Sequence, residues 1–286
     1  MKISNLEELN TPCLILDKTL LEKNCSLVRK KCVELKTNLR PHVKTPKSIE
    51  VAKIALDNEV GPITVSTLDE AEYFASSGFK DILYAVCIIP KKLARLDFVQ
   101  KKYDCVIRIV IDSVLVAKAI VDYSNSHSTK FETLIEIDCG EGRSGLYVED
   151  KKIVEISKIF SECSKTNLVG VLTHAGHSYS TDNKVEISSI ANKERDDALA
   201  AVKYFSTLNH NNPILSIGST PTMLFASHLN NISEVRAGIY MFWDLAQASR
   251  GICKIEDIAV TVLAVSYTHL RAHETEADLV CRLLLE

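Results

Sequence analysis

The chain has 286 residues and a mass of 31.8 kDa, which corresponds to one large domain or two modest ones at the usual ~100–200 residues per domain. Hydrophobic residues make up 46% and charged residues 25% of the sequence, a balance that excludes a disordered chain. The net charge of −3 and a pI near 6.3 exclude the basic surface of a nucleic-acid-binding protein, and no uncharged apolar run reaches the ~18 residues of a membrane-spanning helix.

The cysteines and the amino terminus indicate an intracellular protein. The nine cysteines include no CxxC pair, and isolated cysteines among apolar residues are typical of a reducing compartment. The first ten residues, MKISNLEELN, contain acidic side chains and lack the apolar stretch of a signal peptide. We therefore expect a cytoplasmic enzyme that binds neither membranes nor nucleic acid.

Short apolar segments alternate with amphipathic helical patterns along the chain, and such segments are typical of parallel strands buried on both faces. The predicted strands are Thr37–His42, Pro62–Val65, Asp81–Val86, Val106–Ile111, Thr133–Ile137, Leu168–Leu172, Ile214–Ile217 and Ser233–Val235. Helices are predicted over Lys47–Asn58, Thr67–Ser77 and Lys91–Lys101. Eight strands alternating with helices favour an α/β fold of the (β/α)8 TIM-barrel type. The alternative is a flavodoxin-like or Rossmann sheet.

Glycines and reactive polar residues are concentrated just after these strands. Six of the ten glycines occupy such positions, namely Gly140, Gly142, Gly145, Gly176, Gly218 and Gly238. The loops at the carboxyl ends of barrel strands hold substrates and phosphates, and glycine there permits close approach of the backbone to a ligand. We therefore expect a binding site at this end of the barrel.

Two of these loops suggest a specific chemistry. Lys44 lies between Pro41 and Pro46 after the first strand, which would fix its backbone and aim an amine capable of imine formation with a carbonyl compound. The Gly218–Thr222 segment reads as a helix cap that could also bind an anion. Gly238, with the backbone amides of Ile239 and Tyr240, could complete a phosphate site after the last two strands.

Further polar side chains lie in the neighbouring loops. Arg143 and Tyr179 follow the fifth and sixth strands, and His174 and His177 lie three residues apart. The histidine spacing is a weak indication of a metal pair, so no metal ligand is predicted. A lysine, an anion site, an arginine and a tyrosine at one barrel mouth together match the needs of pyridoxal 5′-phosphate.

Five segments, taken together, resemble the motifs of the D-serine dehydratase and D-threonine aldolase family, which belongs to the alanine racemase-like, fold-type III pyridoxal 5′-phosphate enzymes. They are Arg40–Lys47, Asp138–Gly145, His174–Tyr179, Gly218–Thr222 and Glu234–Asp244. The resemblance runs from Thr11-Pro12 to about Leu263. It implies a barrel of the alanine racemase N-terminal type, a small D-amino acid substrate and a homodimer.

The resemblance also implies roles for individual residues. Lys44 would form the Schiff base with the cofactor and later remove the α-proton of the substrate. Arg143 would lie near the cofactor's phenolate, and Tyr179 beside its ring. The residues expected to hold the phosphate are Gly218, Ser219, Thr220, Gly238, Ile239 and Tyr240. Relatives often have histidine where Pro46 stands here, which leaves the substrate contacts of that loop open.

Members of this family continue after the barrel into a β-domain with a divalent metal, zinc or manganese. We expect the barrel to span residues 1–256, with residues 1–20 lending a strand around Cys13–Leu16 to the β-domain, which would begin at residues 257–264. Residues 265–286 resemble a translated sequencing adapter, so His269, His273 and Cys281 are not predicted as metal ligands. This predicts a truncated β-domain and a chain that binds cofactor poorly and does not turn over.

The predicted function is that of a pyridoxal 5′-phosphate-dependent lyase acting on D-β-hydroxy amino acids, as a dehydratase or as an aldolase. Two alternatives remain open. An amino-acid racemase would need a second base on the opposite face of the cofactor, and none is evident near Tyr179. A non-catalytic cofactor-binding protein would keep Lys44 and the phosphate site but lack substrate selectivity.

Overall fold

The structure is a computed structural model that describes Leu6, residues 9–208 and residues 212–264. Its strands are β1 (Cys13–Leu16), β2 (Asn38–Leu39), β3 (Ile63–Val65), β4 (Asp81–Cys87), β5 (Val106–Ile111), β6 (Phe131–Ile137), β7 (Thr166–Thr173), β8 (Ile214–Ile217), β9 (Glu234–Val235) and β10 (Val260–Leu263). Its α-helices are α1 (Lys18–Glu34), α2 (Ile49–Ala55), α3 (Leu68–Ala75), α4 (Leu93–Tyr103), α5 (Val114–His127), α6 (Lys152–Ser161), α7 (Lys184–Ala201), α8 (Thr220–Phe225) and α9 (Leu245–Ser249).

Strands β2 to β9 form one parallel sheet in the order β2-β9-β8-β7-β6-β5-β4-β3. The two outer strands of this order meet through a parallel bridge between His42 and Thr64. The amide of Val43 donates to the Thr64 carbonyl at 2.9 Å, and the Thr64 amide donates to the Pro41 carbonyl at 2.9 Å. The sheet therefore curls into a barrel, which confirms the predicted α/β barrel and makes the open doubly wound alternative wrong.

Each of the eight predicted strands overlaps an observed one, but the helix ends differ from the predictions. The helix predicted to Asn58 ends at Ala55 because Asp57 and Asn58 adopt left-handed φ angles of 61° and 68°. Pro90–Lys92 forms a separate 3₁₀ turn, so α4 begins only at Leu93. Helix starts follow side-chain caps, as at Thr67, whose hydroxyl accepts from the Glu70 amide at 3.0 Å.

Charged groups fill the amino-terminal end of the barrel interior. Arg40 is 3% exposed, and its guanidinium pairs with Asp81 Oδ1 at 2.7 Å and with Glu234 Oε2 at 2.7 Å. A small apolar layer of Leu83, Val110, Leu134 and Leu172 occupies the interior as well. With this interior packed, the opening for a ligand is left at the carboxyl ends of the strands.

Outside the barrel, β1 and β10 form an antiparallel pair in which Cys13 opposes Leu263 and Leu16 opposes Val260. The Cys13–Leu16 and Val260–Leu263 segments therefore share a sheet, and their assignment to a β-domain stays a prediction. The adapter-like tail predicted at residues 265–286 lies outside the described residues. Across the described part of the chain, no helix combines the length and the apolar character needed to cross a membrane.

Candidate active site

A cavity of about 560 Å³ opens at the carboxyl ends of the barrel strands, within the usual range of roughly 300–1,000 Å³ for small-molecule sites. Its walls come from the ends of β3, β4, β6, β7, β8 and β9 with the loops that follow them, and from the loop after β2. Seven of the nine predicted site residues line it, namely Lys44, Arg143, Tyr179, Gly218, Ser219, Gly238 and Ile239. The fold therefore brings together residues that are up to 195 positions apart in the sequence.

Lys44 lies in a tight turn directly after β2. The turn is closed by a hydrogen bond of 2.9 Å from the Lys47 amide to the Val43 carbonyl. Burial against the cavity wall, together with the nearby positive charges of Arg143 and Arg236, lowers the pKa of the Lys44 amine. The lowered pKa means that a larger fraction of this amine is neutral. The side chain remains accessible from the cavity mouth, so the neutral amine is available to a carbonyl ligand.

The loop after β8 has an internally bonded backbone. The Gly218 amide donates to Glu194 Oε1 at 2.9 Å, the Ser219 amide to Thr222 Oγ1 at 3.1 Å and the Thr220 amide to Tyr179 Oη at 3.1 Å. These three backbone amides thus have partners within the protein. The hydroxyl groups of the loop are the remaining donors.

The other two predicted site residues, Thr220 and Tyr240, do not line the cavity. Both are 0% exposed. The Tyr240 ring is buried in the main hydrophobic core, so only its backbone could serve the site. Thr220 differs, because its Oγ1 has no hydrogen-bond partner although the atom is buried. A buried hydroxyl without a partner is unusual, and here it belongs to the loop that borders the cavity.

Arg236 is a site residue that the sequence reasoning did not single out. Its guanidinium is 4% exposed, lines the cavity, and donates to Ser216 Oγ at 2.8 Å and to the Thr173 carbonyl. It places a fixed positive charge at the cavity floor. A signal was present, because an arginine directly following a predicted buried strand must find partners in the barrel interior.

Two histidines line the cavity as neutral groups. Burial lowers the pKa of His174 to about 3, and its Nδ1 lies 3.0 Å from the Gly218 carbonyl oxygen, to which it donates as the neutral imidazole. Burial, followed by the charges of Lys44 and Arg236, lowers the pKa of His42 well below its ordinary value. His177 does not line the cavity, so the two histidines of the considered pair are not brought together there.

Glu136, Cys87 and Ser144 form a polar cluster on the opposite wall. Glu136 Oε1 accepts from Ser144 Oγ at 2.8 Å, and its Oε2 accepts from Cys87 Sγ at 3.0 Å. Burial, with the Glu136 charge, strongly raises the pKa of the Cys87 thiol. Cys87 is therefore a protonated donor and not a nucleophile.

Close packing of the loop after β9 against the Lys44 turn requires glycine at position 238. A Cβ atom built on Gly238 would lie 2.6 Å from the His42 carbonyl oxygen and 3.4 Å from Thr45 Oγ1. Only a residue without a side chain lets the two loops approach in this way. This contact sets the distance between Lys44 and the Gly238–Ile239 segment.

The residues described by the structure contain no group of three or more His, Cys, Asp or Glu side chains that could hold a metal ion. The residues present therefore do not fit the metal site that the resemblance implies for the β-domain.

The sequence is similar to one family of domains over most of its length. A profile of the family described as "Alanine racemase, N-terminal domain" matches residues 16–246. The match covers the barrel from the end of β1 to the start of α9.

Several known enzymes are similar to most of the chain. It is 37% identical over 261 residues to a D-threo-3-hydroxyaspartate dehydratase of Delftia sp. (strain HT23), covering 91% of this chain and 68% of that protein. It is 31% identical over 279 residues to a D-serine dehydratase of Dictyostelium discoideum, covering 91% and 69%. The solved structure of the Delftia enzyme superposes with a TM-score of 0.85, over 89% of this chain and 67% of that one. Other relatives carry the names of aldolases.

Proposed function

The chain belongs to the alanine racemase N-terminal domain family of fold-type III pyridoxal 5′-phosphate enzymes, and we propose that it is a lyase acting on D-β-hydroxy amino acids. The observation that carries the proposal is the Lys44 amine, whose pKa is lowered and which faces the same cavity as Ser219, Gly238 and Ile239. A reactive amine beside a phosphate-sized set of donors is the arrangement that a pyridoxal phosphate needs.

The residues of the cavity fit this cofactor on chemical grounds. Lys44 supplies the amine for the aldehyde. The buried Thr220 hydroxyl, which has no partner of its own, supplies a donor for a phosphate oxygen, and the neighbouring Ser219 hydroxyl lines the cavity. Arg143 and Arg236 supply positive charge beside the amine. We assign cofactor binding to these residues together with Tyr179, Gly218, Gly238, Ile239 and the backbone of Tyr240.

Pyridoxal 5′-phosphate, when bound, draws electrons away from the substrate's Cα so that a bond to this carbon can break. The chain's own residues do the rest. Lys44 would hold the cofactor through its aldehyde, and the Lys44 amine would take a proton from the substrate's Cα. Burial, and next to it the charges of Arg143 and Arg236, lower the pKa of that amine. Tyr179 lies in the cavity wall, where we assign it to contact with the ring and the substrate.

Two reactions of the β-hydroxyl are compatible with these residues. In dehydration, the hydroxyl leaves and the product hydrolyses to a keto acid and ammonia. In aldol cleavage, the hydroxyl proton is removed, and the Cα–Cβ bond breaks to give glycine and an aldehyde. The names of the relatives include both dehydratases and aldolases. The first of them acts on an acidic hydroxy amino acid, by its name.

We propose a divalent metal, zinc or manganese, only for the β-domain of the family. The described residues do not provide its ligands, so no step of the mechanism is routed through it. The division into a cofactor-binding barrel over residues 1–256 and a β-domain from residue 257, and a homodimer as the assembled form, are likewise parts of the proposal.

The test is a product assay with purified protein and added pyridoxal 5′-phosphate. D-serine, D-threonine and D-threo-3-hydroxyaspartate would be supplied in turn, with zinc or manganese, and keto acid, ammonia, glycine and L-enantiomer would be measured. Keto acid or glycine that disappears in Lys44→Ala but persists in Lys47→Ala supports a dehydratase or an aldolase, respectively. L-enantiomer alone would support the racemase alternative. Cofactor binding without any product would support the expectation that this chain is inactive or the non-catalytic alternative.

A further inference from the structure

A buried carboxylate outside the cavity ties two of its loops together. Glu194 of α7 is 0% exposed, and its carboxylate accepts four hydrogen bonds. Oε1 accepts from Thr173 Oγ1 at 3.1 Å, from the Ala175 amide at 3.1 Å and from the Gly218 amide at 2.9 Å. Oε2 accepts from Thr222 Oγ1 at 2.9 Å. In all four contacts the carboxylate is the acceptor.

The four donors belong to two different loops. Thr173 and Ala175 lie at the end of β7, whereas Gly218 and Thr222 are the first and last residues of the loop after β8. Between the last two lie Ser219 and the Thr220 hydroxyl, the groups assigned to the phosphate. Thr222 also accepts from the Ser219 amide at 3.1 Å, so the carboxylate fixes the loop at both ends and, through Thr222, in its middle.

We propose that Glu194 is a positioning residue that holds the Gly218–Thr222 loop in the conformation that binds the phosphate of the cofactor, an inference that rests on the proposed function. Glu194 does not line the cavity. It forms no hydrogen bond or ion pair with Lys44 or Arg143, which do. Its hydrogen bonds reach the Gly218–Thr222 loop, so its loss should weaken ligands that carry a phosphate more than ligands that do not. Pyridoxal, which has the same aldehyde and ring but no phosphate, should not depend on it.

The first measurement compares the dissociation constants of pyridoxal 5′-phosphate and pyridoxal, titrated by absorbance, in wild type, Glu194→Ala and Glu194→Gln. Glu194→Ala should weaken binding of the phosphate ester by roughly tenfold or more, the size of one lost charge-assisted hydrogen bond, and leave pyridoxal within about threefold. Glu194→Gln should restore most of the affinity, because its carbonyl oxygen can still accept from Gly218 and Ala175 while the Thr222 hydroxyl turns to the Ser219 carbonyl, 3.3 Å away.

A matched pair of threonine variants keeps the test decisive if Glu194→Ala does not fold. Thr173 and Thr222 are 0% and 2% exposed, and each donates its hydroxyl to Glu194. Replacement by valine keeps the shape and removes the donor to Glu194 in both, and in Thr222 it also removes the acceptor of the Ser219 amide. Thr222→Val cuts the link to the phosphate loop and should reproduce the selective loss. Thr173→Val cuts only the link to β7 and should leave the ratio of the two dissociation constants unchanged.

Equal weakening of both ligands in Glu194→Ala, or an unchanged ratio in Thr222→Val, would overturn the inference and leave Glu194 a purely structural role, with the proposed function intact. If the wild-type protein binds pyridoxal 5′-phosphate no more tightly than pyridoxal, the proposed phosphate site is wrong, and the inference is overturned with it.

Discussion

The phenol oxygen of Tyr179 accepts a hydrogen bond of 3.1 Å from the backbone amide of Thr220. This contact links the loop after β7 to the loop after β8 and gives the Thr220 amide a partner within the protein. The amides of Gly218 and Ser219 are occupied as well. The Thr220 hydroxyl is then the donor in this loop that lacks a partner.

We therefore predict that Thr220→Val separates cofactor affinity from stability. Loss of a buried hydroxyl without a partner should not lower the melting temperature of the ligand-free protein. Affinity for pyridoxal 5′-phosphate should fall by about 1.5–3 kcal/mol, the value of a charge-assisted hydrogen bond. Calorimetry and an absorbance titration check the two halves.

Ser219→Ala is the comparison. Ser219 Oγ lies 2.7 Å from Ser178 Oγ and accepts from the Thr222 amide at 3.2 Å, so its loss should cost roughly 1 kcal/mol of stability as a lost helix cap. A fall in melting temperature for Thr220→Val as large as that of Ser219→Ala, with affinity retained, would contradict the assignment of Thr220.

Arg143→Gln should raise the pKa of the Lys44 amine. Burial, and next to it the Arg143 charge, lowers that pKa, while the Glu141 carboxylate acts in the opposite direction. Arg143 pairs with Glu141 at 3.4 Å, so removal of the arginine both deletes a positive charge and frees a negative one. The rate of pyridoxal capture should therefore reach half of its maximum at a higher pH in the variant than in the wild type.

Stopped-flow absorbance between about pH 6 and 10 measures this midpoint, since only the neutral amine reacts. Arg95→Gln provides the control, because Arg95 is a similarly exposed arginine paired with Asp69 and Glu72 and does not line the cavity. A midpoint that stays in place, or moves down, in Arg143→Gln would show that this arginine does not act on Lys44.

The barrel could be predicted from sequence because its eight strands are short apolar segments between helices, a pattern that only a two-sided burial explains. The loops could be predicted for the same reason, since each follows directly on a strand. The direction of individual side chains within a loop could not. Thr220 and Ser219 are neighbours with the same chemistry, and the turn alone decides that Ser219 lines the cavity while the Thr220 side chain is fully buried.

The sequence of α7 contains a pattern that indicates the burial of Glu194, but the predictions from sequence did not include this residue. The buried face of α7 includes Ile187, Ala191, Ala198 and Ala201, and the 3.6-residue period of this face passes through position 194. A glutamate on an apolar helix face must find donors. The surrounding sequence, Lys-Glu-Arg-Asp-Asp, instead resembles an exposed charged surface. Glu194 is therefore easily taken for one more exposed charge.

Gly238→Ala should destabilise the protein because the new methyl group would lie 2.6 Å from the His42 carbonyl oxygen, a contact that only a backbone shift can relieve. We expect a loss of roughly 1–3 kcal/mol, measured by urea unfolding. Gly61→Ala is the matched control, since its methyl group would meet only Leu56 side-chain atoms at 3.6 Å. Equal unfolding midpoints for the two variants would contradict the close approach of the two loops.

The ion pairs of Asp81 should make stability depend on acid pH. Burial disfavours its ionised form, but hydrogen bonds and charges from Arg40 and Arg108 outweigh burial and hold the pKa of Asp81 below its ordinary value. A lowered folded-state pKa gives a stabilisation that is present above the unfolded value of about 3.9 and is lost as the pH falls through the folded-state pKa.

Asp81→Asn should therefore be less stable than wild type at pH 7, and the difference should narrow below about pH 4. Unfolding followed by circular dichroism over this range measures it. Asp69→Asn is the control, because Asp69 is a surface carboxylate paired with Arg95 at 2.7 Å and such pairs contribute little. A difference that stays constant with pH would contradict the role given to the ion pairs.

The most direct measurement is to locate the lysine that binds pyridoxal 5′-phosphate. Protein incubated with the cofactor is reduced with sodium borohydride, which fixes the C=N bond, and the labelled peptide is identified by mass spectrometry in wild type, Lys44→Ala and Lys47→Ala. The account predicts a single label on Lys44, absent from Lys44→Ala and unchanged in Lys47→Ala, whose lysine side chain is 67% exposed and paired with Glu70 at 3.7 Å in the wild type. A label on Lys47, or one that persists in Lys44→Ala, would contradict it.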